Sequence, residues 1–250
     1  LVLSMLGVGS PSMWMALFTG VLVAYVMVGG QGAIIRTDVA QAVTLVVGLC
    51  AAAVALVSEG DGAGSLVAGL PAGHLSFPVN DVFDWTDLTT TLVLVGSVYV
   101  VGPDIYTRLF SARDVATARR AAVAAAALML PVALLVTGLG LSVRALNPAI
   151  PAEEALPWLL YHGLPPIASA LLLAGLVAAL MSFADSTLLG QAVVLADDVI
   201  AGIRPLNDRG AVRVARVCVL ALGGTSLALA LGLQGVIASL MFAYSVFTSG

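Results

Sequence analysis

Ser182, Asp185 and Ser186 fall three and four residues apart inside one long apolar stretch, LLLAGLVAALMSFADSTLLGQAVVLADDVI, residues 171–200. On a helix that spacing puts all three on one face, together with Gly175, Ala178 and Ala179. A carboxylate at the centre of a membrane helix costs about 2.5–3.5 kcal/mol on insertion scales, so it is rarely placed there without a use. An acid beside two hydroxyls offers hard oxygens, the donors that small cations take. The chemistry indicated is the holding of a cation within a bilayer. Small residues at these intervals also let two helices approach closely, and a serine hydroxyl can bond across the interface. That second reading covers every residue of the face except Asp185.

A residue set of this kind needs membrane helices to position it, and the composition supplies them. The 250-residue chain is 60% hydrophobic and 10% charged, with a mean hydropathy of +1.09, whereas a soluble domain carries about 25% charged residues. Its ten basic residues are all arginine, the usage of a GC-rich genome, which points to a bacterial source and so to the cell (inner) membrane. Cys50 and Cys218 lie in apolar runs and are expected to be buried thiols, without disulfide or metal spacing. His74 and His162 fall in stretches read as loops, and no catalytic motif of the HExxH, GxSxG or phosphate-binding type is present. The chain is therefore not expected to be an enzyme or to need a cofactor. Leu1 is no initiator methionine and Gly250 falls within an apolar run, so the expectation is a single transmembrane domain over residues 1–250, an internal piece of a longer protein without a signal peptide.

Six spans are predicted: Met13–Val28, Val39–Val57, Leu88–Tyr106, Ala121–Leu141, Ile167–Leu195 and Val212–Leu231, each near the roughly 20 residues that cross a bilayer. Leu1–Val8 reads as the tail of an earlier helix, and another helix begins near Gly235. With Met13–Val28 running inward, the inner segments hold Arg36, then Arg108, Arg113, Arg119 and Arg120, then Arg204, Arg209, Arg213 and Arg216, while the outer ones hold only Arg144. The positive-inside rule predicts this alternation, and a miscounted span would break it. The outer segment from Ser58 to Asp87 has no arginine and carries Glu59, Asp61, Asp81, Asp84 and Asp87. The cluster from Arg113 to Arg120 also suits anionic lipid headgroups.

Leu88–Tyr106 carries Gly96-Ser97 and then Gly102-Pro103, so this span is expected to kink or break. Broken helices in transporters expose backbone groups to solute or ion; an ordinary proline kink is the other reading. Asp104 and Arg108, four apart, are placed to pair. Residues 198–213, with Pro205 and Gly210, read as a short inner loop with a partial helix.

Three stretches together resemble the sodium:solute symporter family, which includes the proline and sodium/glucose symporters. They are GGQGAIIRTDVAQAV (Gly29–Val43), GPDIYTRLFSARDVATARRA (Gly102–Ala121) and AALMSFADSTLL (Ala178–Leu189). The resemblance implies an all-α membrane fold of the LeuT type, built from two inverted five-helix repeats, of which this chain would run from the end of core helix three into core helix ten. It also implies a main sodium site to which Ala179 gives a backbone carbonyl and Ser182 a hydroxyl. Phe183 stands where the family usually has a second Ser or Thr, and phenylalanine has no oxygen to offer. A second cation site, found in some members, would here join Asp38 to Asp185 and Ser186. Two carboxylates at that distance need a cation or a shared proton between them, so sodium and proton both stay open as the coupling ion. Asp38 also suits a helix N-cap, with Thr37-Asp38 starting a helix.

Solute contacts implied by the resemblance fall on the broken helix, at Gly96, Ser97 and Tyr99. Tyr99 equally suits simple packing. The absence of a richer aromatic cluster beside it favours a small amino acid or carboxylate over a sugar. The function expected is cation-coupled symport of that solute by alternating access; a membrane sensor module of a signalling kinase, reusing the same fold, is the alternative. The partners expected are the solute and membrane lipid, with no nucleic acid; oligomeric state is not legible.

Overall fold

The structure is a computed structural model that describes residues 9–59, 63–70, 76, 78–80, 83–101, 103–203, 207–232 and 241. Among these residues the regular elements are helices, with no strand. The expected helical remnants at Leu1–Val8 and from Gly235 lie outside the described residues. The chain divides into two compact units. One comprises Leu1–Leu45, Pro103–Ser111 and Gly175–Gln234; the other comprises Val46–Gly102, Ala112–Ala174 and Gly235–Gly250.

The first helix, α1, runs Pro11–Glu59 and is interrupted only at Gly30, where φ is 59 and ψ −174. That backbone conformation is essentially open to glycine alone. The hydroxyls of Tyr25 and Thr37 hydrogen-bond to each other. On a straight helix twelve residues would hold them about 18 Å apart, so the chain doubles back at Gly30. Two membrane-length arms result, Pro11–Gly30 and Ile34–Ser58. The expected inner loop between the first two spans is thereby corrected: one glycine makes the reversal, residues 31–38 are helical, and Arg36 lies in the second arm. Asp38 is consequently two turns inside that arm, which removes the N-cap reading.

Among the described residues three further helices are long and apolar enough to cross a membrane: α5, Val115–Leu146; the helix α7, Pro166–Val194, prolonged to Ile203; and α9, Asp208–Gly232. Large apolar side chains stand exposed along these spans, Leu128, Leu130 and Leu134 of α5 among them, as hydrocarbon surroundings demand and water would not tolerate. The third of the six predicted spans, Leu88–Tyr106, falls instead on two helices, α3 (Trp85–Val101) and α4 (Pro103–Phe110), on either side of residue 102. At 17 residues, α3 spans about 25 Å, less than a full bilayer core. Pro103 lacks the amide that a helix continuing from α3 would use and suits the first position of a new one, and it opens α4.

Caps set the ends of these helices. Asp84 accepts from the amides of Thr86 and Asp87, at 2.7 and 2.9 Å, while Asp87 accepts from the amide of Asp84 at 3.0 Å. This reciprocal box starts α3. Two of the acidic residues of the outer segment thus serve a helix end. Asp114 caps α5 by accepting from the Thr117 amide at 2.7 Å. That amide, then the Thr117 side chain, holds the Asp114 carboxyl below the usual carboxylate range. A lowered folded-state pKa means the stabilisation is present above the unfolded value and fades as pH falls through the folded one. Asp114→Ala should speed amide exchange over the first turn of α5, and Asp114→Asn, itself a good cap, should not. Equal protection in the two variants counts against the cap. Asn207 caps α9 (Asp208–Gly232) by accepting from the Gly210 amide at 2.8 Å.

The predicted inner loop at residues 198–213 shrinks, because α7 continues through a π-helical stretch, Leu195–Ile200, and a last turn, Ala201–Ile203, before Pro205. Between α5 and α7 the chain forms a short helix, α6 (Ala155–Trp158), and a π turn, Leu159–Gly163. His162, expected in a loop, sits in that turn with its ring 5.9 Å from Trp158; His74 lies outside the described residues. Cys218 is buried as expected, but Cys50 is exposed. An apolar run identifies a span, and it does not say which face of the span is covered.

In the first unit an apolar core joins both arms of α1 to α7 and α9 through Leu22, Val26, Ile34, Leu188, Ala192, Cys218 and Val219. In the second, Gly48 of α1 meets α7 backbone to backbone. A Cβ built there would lie 2.4 Å from the Leu171 carbonyl oxygen.

Candidate functional site

Four of the five predicted cation residues lie on α7, and the fifth, Asp38, lies on the second arm of α1; all belong to the first unit. Two contacts set the register. Ser182 Oγ donates to Asp38 Oδ1 at 2.6 Å. Seven residues earlier on α7, a Cβ on Gly175 would lie 2.9 Å from Leu45 Cα and 3.1 Å from the Thr44 carbonyl. As residue number rises on one helix it falls on the other, so the two run antiparallel with their backbones nearly touching. Glycine at 175 and alanine at 178 and 179 permit this approach, so the packing reading of the small-residue stripe holds together with the polar one.

Asp185 follows Ser182 by one turn on the same face and is fully buried, with 0% of its surface exposed. Ser186 is also buried, and its hydroxyl donates to Asp185 Oδ1 at 3.3 Å. Two carboxylates and two hydroxyls therefore occupy successive turns of one helix pair. Ser182 gives its proton to Asp38, which leaves its oxygen lone pairs for another partner and makes them more basic. Ala179 stands one turn before Ser182; its carbonyl, like any helical one, keeps a second lone pair. Phe183, where the family pattern has a hydroxyl, is 69% exposed, and its carbonyl accepts from the Thr187 hydroxyl at 2.8 Å. Its ring does not cover the oxygen set.

The predicted solute residues lie on α3, in the second unit. Gly96 is exposed, with no atom within 4 Å of a built Cβ. Ser97 turns its hydroxyl back to the Leu94 carbonyl at 2.9 Å. The side chains of Tyr99, Asp104 and Arg108 lie outside the described residues. A cavity of about 240 Å³ in the same unit is lined by aliphatic groups, among them Leu56, Leu66, Leu134 and Leu139, and contains no charged group to hold an ion.

A sequence model of the sodium:solute symporter family matches residues 8–250. The chain belongs to the sodium:solute symporter family. A search of curated proteins found no match. Family membership and the five long apolar helices among the described residues make this chain a multi-pass membrane protein, of a family whose work is cation-coupled transport of small solutes and not enzymatic. One residue beside the oxygen set is absent from the ligands expected from sequence. Gln41 enters there only as part of the family-like stretch Gly29–Val43. It follows Asp38 by three residues, and its side-chain oxygen is buried. The i to i+3 interval from Asp38 is the signal that sequence offers for it.

Proposed function

We propose that this symporter couples the uptake of a small amino acid or carboxylate to sodium, and that the cation is held chiefly by Asp38, Ser182, Asp185 and Ser186, with the Ala179 carbonyl adjoining. The observation that carries this reading is the 2.6 Å bond from Ser182 to Asp38, which brings a carboxylate of α1 against the helix that bears buried Asp185. Two carboxylates a turn apart in an apolar setting repel, and a cation among them offsets both the repulsion and the desolvation of each. The oxygens are hard and of mixed charge, the set an alkali cation accepts.

Binding energy at this helix pair draws α1 and α7 together, so a conformation in which the two helices are tightly packed is favoured when the cation is present. Such a bias is what coupling requires. Gly96, Ser97 and Tyr99 of the broken helix are proposed to meet the solute. The arginine-only basic content fits a bacterial protein of the inner membrane.

The test is uptake of labelled amino acids and carboxylates by the purified protein in proteoliposomes. A sodium gradient is expected to drive accumulation, and Asp38→Asn is expected to reduce it at least tenfold. Accumulation that follows a proton gradient and ignores sodium would overturn the sodium assignment. Full sodium-driven uptake by Asp38→Asn would remove this residue from the site.

A further inference from the structure

The arginines at the start of α5 have no part in the cation or solute sites. Arg113 reaches Asp114, with Nε and Oδ2 3.5 Å apart. Arg119 and Arg120 are exposed, and neither has an acidic partner among the described residues. Both line an open cavity of about 820 Å³, whose other walls include Val115, Val123, Ala124 and Ala127. Ala116, Arg120, Val123 and Ala127 recur at intervals of three and four, so they share one face of α5. That face is cationic at its start and aliphatic or small over the next two turns.

The cover of this face is not protein among the described residues. From Val115 to Gly138 no residue of α5 is buried, although the helix belongs to a membrane span of mean hydropathy 2.3. Such a surface calls for hydrocarbon, and unpaired guanidinium groups at its end call for an anion. A second copy of this chain satisfies the first demand and not the second. Copies in one membrane run the same way, so symmetric packing on this face sets four arginines at one level, where they repel. A molecule that is anionic at one end and hydrocarbon along its length satisfies both.

We propose that the start of α5 is a binding site for an anionic phospholipid of the inner leaflet, with Arg119 and Arg120 on the headgroup phosphate and an acyl chain lying along Val123, Ala124 and Ala127. The arginine distribution assigns this end of α5 to the inner surface. Guanidinium meets phosphate oxygens in a two-pronged fit and keeps its charge at any working pH. Alanine at 124 and 127 leaves room below the arginines for a chain. A zwitterionic lipid brings its own cation to the site, which the two arginines repel. Topology alone asks only for charge in the inner segment; this site has the charge and the groove on one face. Each arginine near an anionic surface strengthens attachment by about a factor of five.

The test titrates the purified protein in neutral detergent micelles with phosphatidylglycerol or with phosphatidylcholine and follows the thermal midpoint. Phosphatidylglycerol is expected to raise it saturably, and phosphatidylcholine is not. Half-saturation is expected to need at least tenfold more phosphatidylglycerol when Arg119→Gln and Arg120→Gln are combined. Ala124→Trp fills the groove with every charge kept, and it too is expected to need more. Arg144→Gln, which removes a charge at the other end of α5, is expected to titrate as the wild type does. Equal responses to the two lipids, or wild-type half-saturation in the double variant or in Ala124→Trp, overturns the proposal. A loss in Arg144→Gln as large as in the double variant assigns the effect to net charge and also overturns it. An equal rise with inorganic phosphate makes the ligand a soluble anion instead of a lipid. A double variant that changes the oligomeric state on size exclusion gives the face to a second copy, and the lipid site falls.

Discussion

Substitution of Asp185 by alanine is expected to reduce sodium-driven uptake by a hundredfold or more. The carboxylate is completely buried, one turn from the hydroxyl that bonds Asp38, in a helix whose neighbouring side chains are aliphatic or small. Removing one member of a buried, hydrogen-bonded charge set costs roughly 3–5 kcal/mol, and each 1.4 kcal/mol is a factor of ten in an equilibrium constant. A cation that loses this ligand keeps Asp38 alone as its counter-charge. Asp185→Asn, which keeps the shape and one oxygen but not the charge, should fall between the alanine variant and the wild type. Thermal midpoints with and without sodium separate loss of binding from loss of fold: the alanine variant should still unfold cooperatively but lose most of the sodium-dependent rise. Wild-type coupling in Asp185→Ala would sink the assignment of this residue.

Gly48→Leu should leave little folded protein. A Cβ at this position lies 2.4 Å from the Leu171 carbonyl oxygen and 3.0 Å from both the Leu171 carbonyl carbon and Leu172 Cα. All three are backbone atoms, so no rotamer change relieves the clash. Added methylenes in a packed core typically cost about 1–3 kcal/mol, and here even the first atom requires two helices to part. Gly48→Ala should therefore lower the thermal midpoint clearly, and Gly48→Leu should shift the detergent-solubilised protein into aggregates on size exclusion. Gly96→Ala is the control for stability, since nothing lies within 4 Å of a Cβ there. A monodisperse Gly48→Leu protein with a wild-type midpoint would show that the close approach does not hold the helices in place.

Hydropathy locates five of the six predicted spans, because apolar length is what a bilayer selects. Gly102-Pro103 marks the division between α3 and α4 because proline acts on the backbone locally. The face carrying Ser182, Asp185 and Ser186 is legible from its 3.6 periodicity. The pairing of Ser182 with Asp38 is not derivable from spacing, since 144 residues separate them and only packing of α1 on α7 brings them together. The reversal at Gly30 is hidden for the opposite reason. A turn is usually announced by several polar or breaking residues, whereas a single glycine with positive φ leaves helical composition on both sides. Gln41 is inconspicuous in the sequence because an amide in a membrane helix has many ordinary uses; a buried oxygen without a donor among the described residues is visible only in three dimensions.

The absence of a loop at Gly30 also makes the spacing beyond it rigid. Between this hinge and Asp38 the chain is continuous helix, so each added or deleted residue would turn everything beyond it by about 100° and move it by about 1.5 Å. One insertion at residue 33 would swing Asp38 away from Ser182 and present a different face of the arm to Gly175, with hydropathy and charge unaltered. Only whole turns could restore the face, and they would displace it along the axis. Among related chains that keep this contact, the identities of residues 31–37 are free to drift within helical limits, but their number is not. An alignment gap there would signal a site that no longer closes.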